Sequence, residues 1–326
     1  MFHEDKKRLV LIVMSEASSI ATLPTEKTFT AYSQEQGKAY AQSRPDYHFT
    51  VYETILNHHK TSGGLLDTIL DVGCGPGNVV RAFSPHFSHA IGLDPSEGMM
   101  ATARSLGGLT STSEQIRYEV STAEDLGINL PQPIQDASVD LITAANAAHW
   151  FDMPRFWVSV ARVLKPGGSV ALWTSGRSRI HPSVPGATIL QDIMDQIEEK
   201  YLSPFFEPGN FLTRSRYTSL PLPWTLEQPI SEFDESTFFR KDWDVDEQFY
   251  SLEPELNMDM FEKMIATSSP VTRWRQAHPR DVGTENDVVR IYRRAIERHL
   301  NEAGVEKGKE RIKGVIHGAV LIVKKK

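Results

Sequence analysis

Short apolar runs alternate with amphipathic stretches through the first half of the chain. Ile69, Leu70 and Val72, then Ala90–Leu93, Ile116–Val120, Val139–Ala144 and Ser169–Thr174, each read as a short buried strand bounded by Gly, Pro, Asp or Ser. Helical spacing fills the intervals. Tyr47 to Lys60 places Phe49, Tyr52, Ile55 and Leu56 on one face, and Asn78 to Ser84 is broken by Pro85. Ser96 is an N-cap for a helix holding Met99, Met100 and Ala103, and Phe156 to Leu164 closes at Lys165-Pro166-Gly167-Gly168. Strand and helix alternating in this way predict an α/β fold with a doubly wound parallel sheet.

From Ser175 the alternation stops. Residues 175–232 are rich in Pro and aromatic residues, with one predicted helix at Ala187 to Tyr201, which reads as a substrate cap rather than a linker. Helices are predicted over Val245–Glu253, Met258–Ala266 and Glu285–Leu300, and strands over Ser236–Lys241 and Gly314–Val323. A solvated Lys324, Lys325 and Lys326 follow. Residues 1–28 lack periodicity and read as a tail. Residues 29–326 read as a single domain, with a core at 48–174 and the cap and last two strands at 175–326.

Composition alters this picture little. With 40% hydrophobic and 24% charged residues the chain is ordinary for a soluble globular protein, and a formal charge of −7 argues against nucleic acid as a partner. One cysteine, Cys74, allows no intrachain disulfide. The apolar run Leu9–Met14 is too short for a signal sequence or a membrane span, so a cytoplasmic protein with no membrane partner is expected. The histidines show no metal-binding spacing, so no metal is expected.

The chemistry concentrates at Thr68–Gly77, Thr-Ile-Leu-Asp-Val-Gly-Cys-Gly-Pro-Gly. Gly73, Gly75 and Gly77 follow a strand and precede a helix, so the backbone there can turn sharply and approach a ligand closely. Asp94 ends the second strand, where a carboxylate can accept both hydroxyls of a ribose. A dinucleotide fingerprint would need glycine at position 78, occupied here by Asn78, and a pyrophosphate wants helix-terminal N–H groups close by. S-adenosyl-L-methionine (SAM), which has no phosphate, suits the shorter loop.

Asp71 with this glycine loop, Ser121-Thr122-Ala123-Glu124-Asp125-Leu126 after the third strand, Asn146 after the fourth and Lys165-Pro166-Gly167-Gly168 before the fifth resemble the class I SAM-dependent methyltransferases. That resemblance implies a Rossmann-like sheet of seven strands, the last antiparallel. It implies Asp71, Gly73 and Gly75 around the cofactor's amino-acid end, Asp94 at the ribose, Ala123 and Glu124 beside the adenine, and Asn146 facing the methionine part. Met99 and Tyr40 complete the expected cofactor set. Tyr32 and Tyr40 are candidates to cover the sulfonium with an aromatic face, or are core.

A narrower resemblance lies in Tyr40-Ala-Gln-Ser-Arg44-Pro45 and Asn146-Ala-Ala-His149-Trp150-Phe151-Asp152. Both are similar to the trans-aconitate methyltransferase group, which esterifies carboxylates of small acids. The expectation is a small-molecule O-methyltransferase that takes a carboxylate and releases S-adenosyl-L-homocysteine. A carboxylic acid with a pKa of ~4 is already ionised at neutral pH, so the enzyme needs a cation more than a base. Arg44 is the candidate clamp, or a helix-end arginine. His149 is a general base, a donor to substrate or a packed histidine. A phenol or hydroxyl acceptor with His149 as base is the alternative, and a SAM-binding protein without transferase activity is another. A nucleic-acid amino-methyltransferase would carry Asn or Asp before Pro-Pro and an aromatic residue, whereas Asn146 precedes Ala-Ala-His. Cys74 as a nucleophile is disfavoured for want of a partner histidine. Arg214, Arg216, Arg273 and Arg275 are candidate second carboxylate holders or solvated charges.

Overall fold

A strand covered on both faces must be apolar along its length, and β1 (Thr68–Val72) is buried at every position. In the computed structural model, which describes residues 28–244, 247–251 and 255–326, β1 is central to a mixed sheet. It pairs in parallel with β2 (His89–Asp94) on one side and β4 (Val139–Ala145) on the other, with β3 (Arg117–Val120) beyond β2. β5 (Leu164–Ile180) adds to β4, and β6 (Phe239–Asp242) forms the far edge. A separate two-stranded ladder joins β7 (Leu256–Asn257) to β8 (Arg311–Ile312). β9 (Gly314–Lys324) runs antiparallel between β5 and β6, giving the order β3-β2-β1-β4-β5-β9-β6. The seven-stranded Rossmann-like sheet with an antiparallel final strand is therefore present. The order reverses between β1 and β4, the switch point at which such sheets open a crevice for ligands.

Alternation along the strands sorts side chains to two faces. Leu70, Ile142, Val170 and Leu172 join Phe156, Trp157 and Val160 of α5 (Met153–Val163), while Ile69, Leu141, Ala171 and Trp173 join Val51 and Ile55 of α2 (Phe49–Thr61). α1 (Gln34–Ser43) precedes α2, α3 (Asn78–Phe83) follows β1, and α4 (Glu97–Leu106) follows β2. Ser96 caps α4, its side chain accepting from Met99 N. A third cluster, with Leu190, Trp274, Tyr292 and Ile296, holds together α6 (Ala187–Ile197), α9 (Ser269–Ala277) and α10 (Val288–Glu302). α7 (Pro208–Arg214) and α8 (Met258–Ala266) complete this region.

Several expected boundaries move for identifiable reasons. β5 is much longer than Ser169–Thr174 because β9 continues to pair with it as far as Ile180. The strand expected from Ser236 begins at Phe239, since Asp234 caps a 3₁₀ turn at Glu235–Thr237. α7 and α9 lie where no helix was expected, each started by a proline in its first turn. Of the helix expected over Val245–Glu253, residues 245, 246, 252 and 253 lie outside the described residues, as do residues 1–27 of the expected tail 1–28. The described part, 247–251, is not helical, because Tyr250 forms an antiparallel bridge with Tyr47 and Ser251 N donates to Asp46 O. Of the three final lysines only Lys326 is exposed as expected. Lys324 is buried and its Nζ donates to Ser62 O (2.7 Å), and Lys325 Nζ donates to the Leu164 carbonyl (2.8 Å).

Candidate active site

A cavity of about 480 Å³ opens at the carboxyl ends of β1, β2 and β4. Its wall brings together Tyr40, Arg44, Asp71, Gly73, Gly75, Asp94, Met99, Ala123, Glu124 and Asn146, while His149, Tyr32 and the candidate arginines Arg214, Arg216, Arg273 and Arg275 lie off it. No residue of the Pro-rich stretch 175–232 lines it. Within that stretch, Gly209 of the helix Pro208–Arg214 packs behind Trp150, where a Cβ would stand 2.6 Å from the His149 carbonyl.

The β1–β2 side is made largely from backbone and carboxylates. Gly73 adopts φ +65°, and a Cβ there would lie 2.7 Å from the Ala147 Cβ, so the loops after β1 and β4 meet only because position 73 lacks a side chain. Gly75 N donates to Asp94 Oδ2 and Ser96 N to Asp94 Oδ1, both at 2.9 Å, which fixes the carboxylate at the end of β2. Thr143 Oγ1 donates to Asp71 Oδ1 (2.7 Å), whereas Asp71 Oδ2 is buried with no hydrogen-bond partner among the described residues. Burial, the largest influence on it, pushes the Asp71 pKa up to about 7. Farther along the wall, Asp152 N donates to Glu124 Oε1 (2.8 Å). Burial pushes the Cys74 thiol pKa well up, which keeps it protonated and unsuited to attack.

These residues fit SAM. The orphaned oxygen of Asp71 offers a buried carboxylate to an ammonium, the Cβ direction of Gly75 is open, and Asp94 presents acceptors at the strand tip.

The β4–β5 side is aromatic and cationic. Arg44 is the C-cap of α1, held extended before Pro45, and its Nη2 donates to Thr267 O (3.1 Å). Its guanidinium lies 5.1 Å from the centre of the Tyr40 ring, and its Nε is buried without a hydrogen-bond partner. No ion pair among the described residues includes it. Tyr47 and Tyr250 stack with ring centres 5.0 Å apart. Asn146 Nδ2 donates to both hydroxyls, at 2.9 and 2.7 Å, while its Oδ1 accepts from Thr174 Oγ1 and Ser175 N. Asn146 achieves this from φ +48°, a left-handed conformation that Asn tolerates better than most residues. Its amide is thus taken up by this network. Tyr250 was missed because it sits in a stretch whose local pattern suggests helix.

His149 lies beneath this side, buried, with Nδ1 2.8 Å from the Tyr217 hydroxyl. Burial, followed by the charge of Arg44, lowers its pKa to about 3, so the imidazole is neutral. The other arginines are neither free holders nor solvated charges. Arg214 pairs with Glu198, Arg216 with Asp242, Arg273 with Glu207 and Arg275 with Asp287. Each needs its carboxylate to remain partly buried.

Among the described residues no helix is long and apolar enough to cross a membrane, and no cluster of three or more His, Cys, Asp or Glu side chains could hold a metal ion.

Residues 70–172 match the profile of a methyltransferase domain. A Dictyostelium discoideum protein described as a methyltransferase is 32% identical over 222 residues, covering 65% of this chain and 78% of that one. A Saccharomyces cerevisiae protein described as the SAM-dependent methyltransferase CRG1 is 31% identical over 134 residues, 41% of this chain and 43% of that one. The chain spans about half the length of this yeast relative and of the Aspergillus terreus methyltransferase pgmE, to which it is 30% identical. A solved structure from Anaeromyxobacter dehalogenans, described as a type II methyltransferase, superposes with a TM-score of 0.55 at 25% identity over 86% of this chain and 97% of that one. With the strand order and the glycine loop, these likenesses place the chain among the class I SAM-dependent methyltransferases.

Proposed function

We propose that the chain is an O-methyltransferase of small acids, methylating a carboxylate oxygen as the trans-aconitate methyltransferase group does. The observation that carries this reading is Arg44, a cation on the cavity wall with no carboxylate partner among the described residues and with its Nε unsatisfied. A buried guanidinium left without an anion is costly, and an acceptor carboxylate would remove that cost while being fixed by two parallel hydrogen bonds. SAM, when bound, supplies a methyl group already activated by its sulfonium. Asp71, Gly73, Gly75, Asp94, Met99, Ala123 and Glu124 are then the residues that would hold it. Arg44 would orient the nucleophilic oxygen, and the rings of Tyr40, Tyr47, Tyr250 and Trp150 would keep water out, which is most of what an in-line displacement asks of a protein. The absence of His149 from the cavity wall and its lowered pKa support the acid over the phenol. A base whose conjugate acid lies near 3 withdraws little from a phenol at ~10.

The test is a labelled-methyl assay over di- and tricarboxylic acids and phenols, run with wild type and Arg44→Ala. Arg44→Ala should raise KM for the acid about a hundredfold, as expected for loss of a charge-assisted pair. Turnover of phenols but not acids, rising through the histidine pH range and lost in His149→Ala, would move the assignment to hydroxyl methylation. SAM binding without release of S-adenosyl-L-homocysteine over the whole panel would leave a binding protein.

A further inference from the structure

We infer that Asn146 turns the hydroxyls of Tyr47 and Tyr250 into obligate hydrogen-bond donors, which with Arg44 make a donor-only subsite selecting the ionised carboxylate of the acceptor. This rests on the acid reading above and identifies the groups that enforce it.

The argument begins at Ser175. Its backbone N–H can only donate, so the Asn146 atom 2.9 Å away is the amide oxygen. The other end of the amide is then the NH₂ group, and its two hydrogens meet the two phenol oxygens. Each phenol oxygen that accepts from Asn146 keeps its own proton, and because the two hydroxyls also pair with each other, the Tyr47 proton is given to Tyr250 and the pair has one proton left to give to a ligand. The rings are stacked, and the bridge between Tyr47 and Tyr250 ties their backbones together, so both hydroxyls lie at one place on the wall. Burial raises the pKa of each phenol, so both remain O–H donors at working pH.

Arg44 completes the set. A guanidinium has no acceptor atom, and the hydroxyls of Tyr40, Tyr250 and Tyr47 are close enough to interact with it electrostatically. Asp46, the acidic group of the same arm, accepts from Asn78 Nδ2 (2.9 Å). A carboxylate, with about four lone-pair sites, can accept from Arg44 Nε and from the proton left on the tyrosine pair. A neutral alcohol or acid brings an O–H that these donors cannot receive, and leaving such a group unpaired is unfavourable. Selectivity of this kind is sharp, because a site built from buried polar groups rejects what cannot pair with them.

A carboxylate can reach this cavity from two sources, the acceptor or the amino-acid end of the cofactor. The donors are tied to Asn146 after β4 and to Ser175 on β5, whereas Asp71 and Asp94 belong to β1 and β2, which favours the acceptor.

Asn146→Asp is the sharpest test. It keeps size and tolerance of positive φ but replaces the donating nitrogen with an oxygen, so both tyrosines turn their protons onto it and face the cavity with lone pairs. Using the acid that wild type methylates fastest, KM should rise about thirtyfold in Asn146→Asp and about fivefold in Tyr250→Phe, with the SAM dissociation constant from calorimetry changing less than about twofold. The circular-dichroism melt and SAM titration report folding. If Asn146→Asp fails to fold, Tyr250→Phe, which removes one oxygen, carries the test. An unchanged KM in the folded variants, while Arg44→Ala still raises it, overturns the donor subsite and leaves the acid reading standing. A weakened SAM affinity with an unchanged acid KM assigns the subsite to the cofactor's carboxylate and also overturns the inference. If wild type methylates phenols and no acid, the acid reading falls and takes this one with it.

Discussion

On the β1–β2 side of the cavity the ligand-facing groups come from neighbouring chain, and the bond from Gly75 to Asp94 spans 19 positions. On the β4–β5 side Arg44, Tyr47, Asn146 and Tyr250 come from distant segments, and the bond from Asn146 to Tyr250 spans 104. On the first side Gly75 and Asp94 are set once β1, α3 and β2 pack, and Asp71 needs only Thr143 of the neighbouring β4 in addition. The second exists only after the C-terminal half has docked, so it pays more loop-closure entropy. On the proposed reading, this division would let one fold keep its methyl donor while the acceptor site varies.

The two sides touch where α1 rests on α4, and that contact is the most severe place to break the comparison. A Cβ on Gly98 would lie 2.1 Å from the Tyr32 carbonyl oxygen and 2.6 Å from the Ser33 carbonyl carbon, backbone atoms that cannot rotate aside. Gly98→Ala should displace the arm that carries Tyr40 and Arg44. We expect kcat/KM for the acid to fall about a hundredfold and the thermal midpoint to drop by about 5 °C, while SAM affinity changes by less than about fivefold. An equal loss on both measurements would mean that the sides are not separable.

Asp94→Ala should act in the opposite sense. It removes two carboxylate acceptors and releases Gly75 N and Ser96 N, so the SAM dissociation constant should rise about thirtyfold with little change in KM for the acid. A matching rise in KM would show the acceptor side depending on the cofactor loop.

A smaller effect comes from pH. Asp71 is held protonated below about 7 by burial, and an ammonium ligand prefers the ionised carboxylate. SAM affinity should therefore rise as pH increases towards 7, by at most about tenfold per pH unit, and level off above it. The ligand-free protein behaves in the reverse direction. Its folded state binds this proton more tightly than the unfolded chain does, so the Asp71 contribution to stability is greatest at acid pH and is lost as pH rises between about 4 and 7. Calorimetric titrations from pH 5.5 to 8 would check the slope, which Asp71→Asn should flatten.

What could be read in the sequence follows the same division. Asp71, Gly73, Gly75 and Asp94 were legible because their spacing along the chain is their spacing in space, set by a strand, a turn and a helix. Arg44 was legible by residue type and by the proline after it, although no local rule says that it lacks a carboxylate. The meeting of Asn146, Tyr47 and Tyr250 was not legible. It depends on a bridge between Tyr47 and Tyr250 and on the Ser175 N–H, contacts that no periodicity encodes. For the same reason Arg214, Arg216, Arg273 and Arg275 could not be told from substrate holders until their carboxylate partners were seen.

The position of β9 between β5 and β6 also matters during synthesis. On the ribosome, β5 emerges long before its neighbour, leaving its edge and the flank of Trp173 open to any other extended segment while Gly314–Lys324 is still untranslated. β6 has no pairing partner for the same interval. The nascent chain can therefore complete its cofactor-side strands co-translationally, but the opposite half of the sheet must wait for β9, the last described strand to be made. That interval is when a chaperone would be of most use to this protein.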